Sequence, residues 1–193
     1  MSHHGVHASL RAPDFRACDP GVAYWVTGLP GAGKTTLAAA LAQHLEARGR
    51  HVVRLDGDRM RALLGSAERY GRADRMALAQ TYANFCLEFS TQGFDVVCAT
   101  VSMFETVRGW NRINIPRYVE IYLRVPIPVL AQRHPKGLYA RARAGHIRNV
   151  VGVDQSFEEP QAPDLVITDD GDKTPGDVAQ ALIAFLDGRK EAA

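Results

Sequence analysis

The sequence predicts an α/β protein, a three-layer fold in which helices flank a central parallel sheet. Short, continuously apolar runs alternate along the chain with segments of helical periodicity, which is typical of parallel strands joined by helices. A glycine-rich loop also lies between the first apolar run and the first helical segment. The 193 residues suit one domain, expected at residues 21–193 after a flexible N-terminal arm at residues 1–20.

The first half of the chain is predicted to supply two strands and three helices. The second helix follows its strand closely, and the third places Leu78, Tyr82, Phe85 and Phe89 on one buried stripe. Cys86 and Cys98 are expected to be small core residues. In chain order, the strands lie at residues 22–27 and 51–56, and the helices at 34–49, 59–64 and 73–92.

The second half is predicted to add three strands and a closing helix. The strands lie at residues 95–101, 119–125 and 164–169, and the helix at residues 174–188 with Pro175 near its start. Residues 134–150 are rich in Arg, Lys and Gly and lack apolar periodicity, so they are expected to form a mobile, basic covering segment.

Composition gives no support to several classes of protein. A net charge of +2 is too small to indicate binding to nucleic acid or to an acidic membrane. No apolar run approaches the length of about 18 residues that a membrane span needs, and the N-terminus lacks a hydrophobic signal core. The three cysteines are far apart in the sequence, which favours reduced thiols and a cytoplasmic protein.

The stretch TGLPGAGKTT, residues 27–36, has the spacing of a phosphate-binding loop between a strand and a helix. The backbone N–H groups of residues 31–35 are expected to point at the phosphates of ATP, Lys34 to bridge the outer phosphates, and Thr35 to hold Mg²⁺. The predicted ATP-binding residues are Gly28, Leu29, Pro30, Gly31, Ala32, Gly33, Lys34, Thr35 and Thr36.

Asp56 and Asp58 follow the second strand at its carboxyl end, the edge of an open parallel sheet where ligands bind. One carboxylate would orient Mg²⁺ through a water molecule, and the other would accept a proton from an attacking hydroxyl. The residue types leave open which carboxylate does which, and also whether they only cap the following helix. No Asn-Lys-x-Asp motif occurs, which disfavours a GTPase.

These motifs, with the segment PKGLYARARAGHI at residues 135–147, resemble the adenylylsulfate (APS) kinases, a family of P-loop kinases. The resemblance implies a P-loop kinase fold whose lid is the segment 134–150. It also implies Mg²⁺-dependent transfer of the ATP γ-phosphoryl group to the ribose 3′-hydroxyl of APS, which gives PAPS and ADP in sulfate assimilation. Members of the family are often dimers, so a homodimer is expected.

The resemblance also implies roles for individual residues. Lys34, Asp56, Asp58 and Lys136 would be catalytic, with Lys136 carried on the lid. Ser102 matches a serine proposed as a phosphorylated intermediate, although direct in-line transfer needs no such intermediate. The acceptor-binding residues would be Asp58, Arg61, Tyr70, Arg75, Ser102, Phe104, Lys136, Gly137 and Leu138.

Departures from the family concentrate on the acceptor side. An acceptor-side Asn is Leu78 here, and a Phe-Thr pair whose ring packs on the acceptor's adenine is Val150-Val151. Tyr70, Phe104 or Trp110 would have to supply a substitute ring. The sequence also resembles a subgroup that phosphorylates cytidine diphosphoramidate for polysaccharide modification, and this acceptor stays open beside APS. Two other classes of function remain as alternatives at this point, a non-catalytic nucleotide-binding module and a nucleic-acid binder that uses the basic lid.

Overall fold

The computed structural model describes residues 19–66, 70–133 and 137–191. Within these residues one sheet of five strands has the order β2-β3-β1-β4-β5, and every neighbouring pair is parallel. The predicted α/β fold with a parallel sheet is therefore confirmed. The strands are β1 (Ala23–Gly28), β2 (Val52–Asp56), β3 (Asp95–Thr100), β4 (Tyr118–Arg124) and β5 (Leu165–Thr168).

Seven helices of the described residues connect and cover the strands. They are α1 (Lys34–Glu46), α2 (Gly57–Leu63), α3 (Arg72–Thr91), α4 (Glu105–Asn114), α5 (Ile127–Arg133), α6 (Leu138–Arg143) and α7 (Pro175–Glu191). The sequence prediction missed α4, α5 and α6. Helix α4 has apolar residues at steps of three, Val107, Trp110 and Ile113, but this stripe does not coincide with its buried face, which includes Arg108 and Asn111 and leaves Ile113 exposed. Helices α5 and α6 are only seven and six residues long.

The side chains of β1 alternate between two hydrophobic cores. Tyr24 and Val26 belong to the core beneath α1 and α7, whereas Ala23 and Trp25 belong to the core beneath α3 and α4. This alternation follows from the period of two along a strand whose faces are both covered. Strand β1 lies between β3 and β4 at the point where the strand order reverses, which is where a ligand crevice is expected.

The buried stripe predicted on α3 is partly wrong. Leu78 and Tyr82 are buried, but Phe85 and Phe89 are only half-buried and stack on each other with ring centroids 6.0 Å apart. Small residues occupy the centre of the contact instead, because they let the helix approach the sheet closely. These residues are Ala79, Ala83, Cys86 and Ser90.

Two further predictions concern the ends of the chain and the covering segment. Residues 1–18, which hold most of the predicted arm and Cys18, lie outside the described residues, while Cys86 and Cys98 are buried as expected. The covering segment is not free of core contacts, since Tyr139 and Ala142 of α6 are buried in the core beneath α1 and α7. Among the helices that the structure describes, none is both long and apolar enough to span a membrane.

Candidate active site

A cleft of about 990 Å³ lies at the carboxyl ends of β1, β2 and β3. The cleft is lined by the loop after β1, by the start of α2 and by the segment after β3. Residues 147–151 and 155–157 also line it. The cleft therefore lies at the predicted crevice and brings together segments that are far apart in the sequence.

The loop between β1 and α1 needs glycine at two positions. Gly28 has φ 154° and packs so tightly that an added Cβ would lie 2.6 Å from the Leu123 carbonyl oxygen. Gly33 precedes α1 in a left-handed conformation, with φ 94° and ψ 14°. One of the expected inward-pointing groups is used otherwise: the Ala32 N–H donates to the Leu29 carbonyl at 3.2 Å, because the loop closes a turn there.

Lys34 extends back along this loop, and its Nζ donates to the Leu29 carbonyl oxygen at 2.8 Å. Burial of the ammonium group lowers the pKa of Lys34 to about 8, although Asp58 and Asp56 oppose this shift. The loop thus keeps a lysine whose charge is costly in the absence of an anion. An incoming polyphosphate would supply that anion.

The two carboxylates after β2 differ in their surroundings. Asp56 accepts the Thr35 hydroxyl on Oδ2 at 2.7 Å, and its Oδ1 accepts the N–H groups of Asp58 and Arg59 at 3.1 and 3.2 Å. Asp56 therefore caps α2 and contacts the phosphate loop at the same time, which explains why α2 begins at Gly57 rather than at Arg59 as predicted. The Asp58 carboxylate lines the cleft and accepts no hydrogen bond from the described residues.

Two arginines that line the cleft approach one aromatic ring. The guanidinium carbons of Arg61 and Arg75 lie 4.8 and 5.3 Å from the centroid of Tyr70. Arg75 also donates to the carbonyl oxygens of Tyr70 and Asn149 at 2.9 and 2.8 Å. Burial, followed by repulsion from Arg61, lowers the pKa of Arg75. The part of the cleft around Arg61, Tyr70 and Arg75 is therefore suited to a ligand that has an anionic group and a flat ring.

The segment after β3 contributes a hydroxyl and a ring to the cleft. Ser102 is buried, and its Oγ lies 2.7 Å from the Thr100 Oγ1. Phe104 is 7% exposed and also lines the cleft, whereas Trp110 packs against the core beneath α3 and α4. Tyr70 and Phe104 thus remain as candidate substitute rings, and Trp110 does not.

Most of the predicted site residues come together in this cleft. Five predicted residues of the described chain do not line it: Gly28, Leu29, Ala32, Thr36 and Gly137. Leu29 is buried in the core, with its carbonyl oxygen accepting from Lys34. Lys136 lies outside the described residues. The predicted residues that line the cleft are Pro30, Gly31, Gly33, Lys34, Thr35, Asp56, Asp58, Arg61, Tyr70, Arg75, Ser102, Phe104 and Leu138.

Sequence reasoning missed several residues that the cleft contains. Tyr82, assigned only to the core, donates its hydroxyl to the Gly57 carbonyl at 3.1 Å. Asn149 has φ 65°, and Asp154 accepts the N–H groups of Asn149 and Val150 at 2.6 and 2.5 Å, which shapes the turn that meets Arg75. Among sequence signals, only the turn-forming residues Asn149, Gly152 and Asp154 could have indicated that turn. The other missed residues include Met103, Ile147, Arg148, Gln155 and Phe157.

A smaller cavity of about 250 Å³ adjoins the phosphate loop, where Ala32 and Thr36 line it. Its opposite wall is built around Arg133, whose guanidinium donates to both carboxylate oxygens of Asp169 at 2.6 and 3.0 Å. Helix α6 is also connected to the loop, because the Tyr139 hydroxyl donates to the Pro30 carbonyl at 2.7 Å. The phosphate loop is therefore bordered by two hollows.

Comparisons with known proteins agree with this geometry. The sequence model of one family, described as adenylylsulphate kinase, matches residues 20–168. A probable bifunctional SAT/APS kinase of Sorangium cellulosum is 37% identical over 86% of this chain, which spans only 29% of that longer protein. A cytidine diphosphoramidate kinase of Campylobacter jejuni is 42% identical over 74% of this chain and 83% of that protein.

A solved structure, the Mycobacterium tuberculosis APS kinase in complex with AMPPNP and APS, superimposes with a TM-score of 0.78. It is 30% identical in sequence, and the match covers 87% of this chain and 98% of that chain. The sequence family and the fold comparison therefore point to the same group of enzymes.

Proposed function

Since this chain belongs to the adenylylsulfate kinase family, we propose that it transfers the γ-phosphoryl group of ATP to the ribose 3′-hydroxyl of adenylyl sulfate, giving PAPS and ADP. One observation of the site carries the proposal. The phosphate loop with Lys34, the carboxylate of Asp58 and the Arg61–Arg75 pair all line a single cleft, and Asp58 interacts electrostatically with both Lys34 and Arg75. This supports Asp58 as a base that lies between the proposed donor site and the proposed acceptor anchor.

ATP would bind with its triphosphate in the loop that precedes α1. The N-terminus of α1 favours phosphate there, and Lys34 would exchange the Leu29 carbonyl for phosphate oxygens. Because the acceptor takes the side of Asp58, the base of ATP would occupy the smaller cavity beside Thr36, Arg133 and Pro175. This arrangement directs the γ-phosphate along the cleft toward Asp58.

Thr35 and Asp56 suit Mg²⁺, which the family's use of ATP implies. A hydroxyl and a carboxylate 2.7 Å apart are hard oxygen donors of the kind that Mg²⁺ prefers, with room for water in the rest of its shell. Thr35 would contact the ion directly and Asp56 through water. The ion, when bound, neutralises charge on the β- and γ-phosphates.

Asp58 is the group that we assign as the general base. Both oxygens of Asp56 are occupied by Thr35 and by the cap of α2, whereas the carboxylate of Asp58 is available to accept a proton. It would orient the 3′-hydroxyl for in-line attack and take its proton as the new bond to phosphorus forms. Ser102 is hydrogen-bonded to Thr100 and would contact the acceptor without forming an intermediate.

Arg75 and Arg61 would hold the anionic group of the acceptor, and Tyr70 and Phe104 would contact its base. Lys136, Gly137 and Leu138 remain acceptor-side predictions of the lid. Lys136 would stabilise the charge of the migrating phosphoryl group as the lid excludes water.

A second candidate acceptor is cytidine diphosphoramidate. The 42% identity to the Campylobacter enzyme favours it, and so does the apolar wall that Leu78, Val150 and Val151 present where an aromatic wall is expected for adenine. A pyrimidine needs less stacking area than a purine. The chemistry at Asp58 would be the same for both acceptors.

The test is phosphoryl transfer from ATP to each acceptor at equal concentration, with Lys34→Ala as the inactive control. We expect transfer to adenylyl sulfate, with the higher kcat/KM. A large preference for cytidine diphosphoramidate would replace the first acceptor by the second. ADP release that persists unchanged in Lys34→Ala would refute the kinase proposal altogether.

Assembly and location remain predictions. We propose a homodimer in the cytoplasm, which sedimentation of the purified chain and cell fractionation would test. Binding to RNA or DNA that weakens steeply with salt and does not require ATP would instead favour a nucleic-acid role for the basic lid.

A further inference from the structure

Glu158, for which no role was predicted, holds the segment that follows β3 in the cleft. The Glu158 Oε2 accepts the Glu105 backbone N–H at 2.7 Å, and the Glu158 N–H donates to the Met103 carbonyl at 3.2 Å. Two contacts from one residue thus hold the backbone on both sides of Phe104. Phe104 has an extended backbone at the N-terminus of α4.

The other carboxylate oxygen of Glu158 reaches a different helix. Its Oε1 accepts from the Arg72 Nη2 at 2.7 Å, and the Arg72 guanidinium carbon lies 5.1 Å from the centroid of the Phe104 ring. The ring therefore has the cleft on one side and a positioned cation beside it. The N–H of Glu105 and the Arg72 guanidinium lower the pKa of Glu158, which keeps it ionised at neutral pH.

The same segment is tied to the core from below. The Glu105 carboxylate accepts from Arg108 at 2.5 Å, and the Arg108 Nε lies 3.1 Å from Glu120 within the sheet. The backbone next to Phe104 is thus fixed independently of the ring. Arg72, which Glu158 positions, is left as the group that acts on the ring itself.

We propose that Arg72 and Glu158 form a positioning clamp that holds the Phe104 ring against the acceptor's base and so sets acceptor affinity. This inference rests on the function proposed above, since it assigns Phe104 to the acceptor wall. Both clamp side chains are about half exposed, 49% and 41%, so their ion pair adds little to stability. Its effect is on the ring, and hence on the acceptor's KM rather than on kcat or the KM of ATP.

The first test reads the ring without any acceptor. Fluorophenylalanine is incorporated at the seven phenylalanines, and the ¹⁹F resonance of Phe104 is assigned by its loss in Phe104→Leu. We expect the Phe104 resonance to shift and broaden in Glu158→Gln and in Arg72→Gln. Glu159→Gln is the matched control, because Glu159 is the neighbouring carboxylate and pairs with Arg124 instead. A Phe104 resonance that is unchanged in both clamp variants overturns the proposal.

The second test is kinetic. We expect Glu158→Gln and Arg72→Gln to raise the acceptor KM about three- to tenfold, while Glu159→Gln leaves it unchanged. In the Phe104→Leu background the same clamp substitutions should add almost nothing, because they act through the ring. Equal effects in both backgrounds, or an equal rise in the KM of ATP, would overturn the clamp.

The two tests separate two kinds of failure. If the wild-type protein phosphorylates neither acceptor, the proposed function fails, while the ¹⁹F resonances still decide whether the clamp orders the ring. If transfer occurs but the clamp variants keep the wild-type acceptor KM, the proposed function stands and the clamp is refuted. Thermal unfolding of each variant confirms that it is folded.

Discussion

Replacing Asp58 by Asn tests the assignment of the general base. The Asp58 carboxylate accepts no hydrogen bond from the described residues, so an amide of the same shape fits without disturbing its neighbours. Asp58 lies in the first turn of α2, where loss of its charge costs about 0.3–1 kcal/mol through the helix dipole. The variant should therefore stay folded, with a Tm lowered by about 1–4 °C.

The effect on catalysis should be far larger. A positioned general base contributes about 10²- to 10⁴-fold, which corresponds to about 2.7–5.4 kcal/mol of transition-state stabilisation. We expect Asp58→Asn to lower kcat by that factor. The KM of ATP should change little, because Lys34 and the phosphate loop are untouched.

The assay measures kcat at saturating ATP over a range of Mg²⁺ concentrations, with Asp56→Asn as the comparison. Asn caps a helix as well as Asp does, so Asp56→Asn keeps the start of α2 but loses the charge beside Thr35. It should therefore raise the Mg²⁺ concentration needed for half-maximal activity, whereas Asp58→Asn should not. If Asp58→Asn keeps its kcat within about threefold of wild type, or shifts the Mg²⁺ requirement as Asp56→Asn does, the assignment is wrong.

Three further predictions follow from the site. Because burial lowers the pKa of Lys34 to about 8, kcat/KM for ATP should fall as pH rises through about 8. Lys34→Arg should move this fall to higher pH, and a flat pH profile for the wild type would contradict the prediction. Tyr139→Phe removes the hydrogen bond to the Pro30 carbonyl, so the nucleotide-free protein should lose about 1 kcal/mol of stability and about 2–4 °C in Tm. An unchanged Tm in thermal unfolding would show that the bond contributes nothing to stability. Arg75→Ala should raise the acceptor KM about ten- to hundredfold in steady-state kinetics, with little change in the KM of ATP. An equal rise in both KM values would mean that Arg75 does not contact the acceptor.

The sheet was predictable because its signals are local. Strands β1 and β3 are short runs that are buried along their whole length, since both faces of the sheet are covered there, and the glycine loop marks the junction of β1 and α1. Helix α4 was overlooked although Val107, Trp110 and Ile113 recur at steps of three, because this stripe marks only part of the face that the fold buries. Arg108 is buried by pairing with Glu120 of a strand that follows later in the chain, and a sequence pattern does not reveal such a partner.

The site also has a part that was predictable from the sequence and a part that was not. Lys34, Thr35 and Asp56 follow from motifs whose spacing fixes their geometry, and the structure brings them together. The cover of the cleft depends on contacts between distant segments, such as the Arg75 guanidinium on the Asn149 carbonyl. A sequence pattern contains no information on such a contact until the chain has folded.

The position of Asp56 has a consequence for how the binding of one substrate affects the binding of the other. One carboxylate is bonded both to Thr35 of the donor loop and to the first N–H groups of α2, the helix that carries Asp58. We therefore expect ATP in the proposed donor site to affect Asp58, the proposed proton acceptor, and by thermodynamic reciprocity a bound acceptor would then change the affinity for ATP by the same factor. We expect the affinities of either substrate measured alone to differ from those measured in the ternary complex.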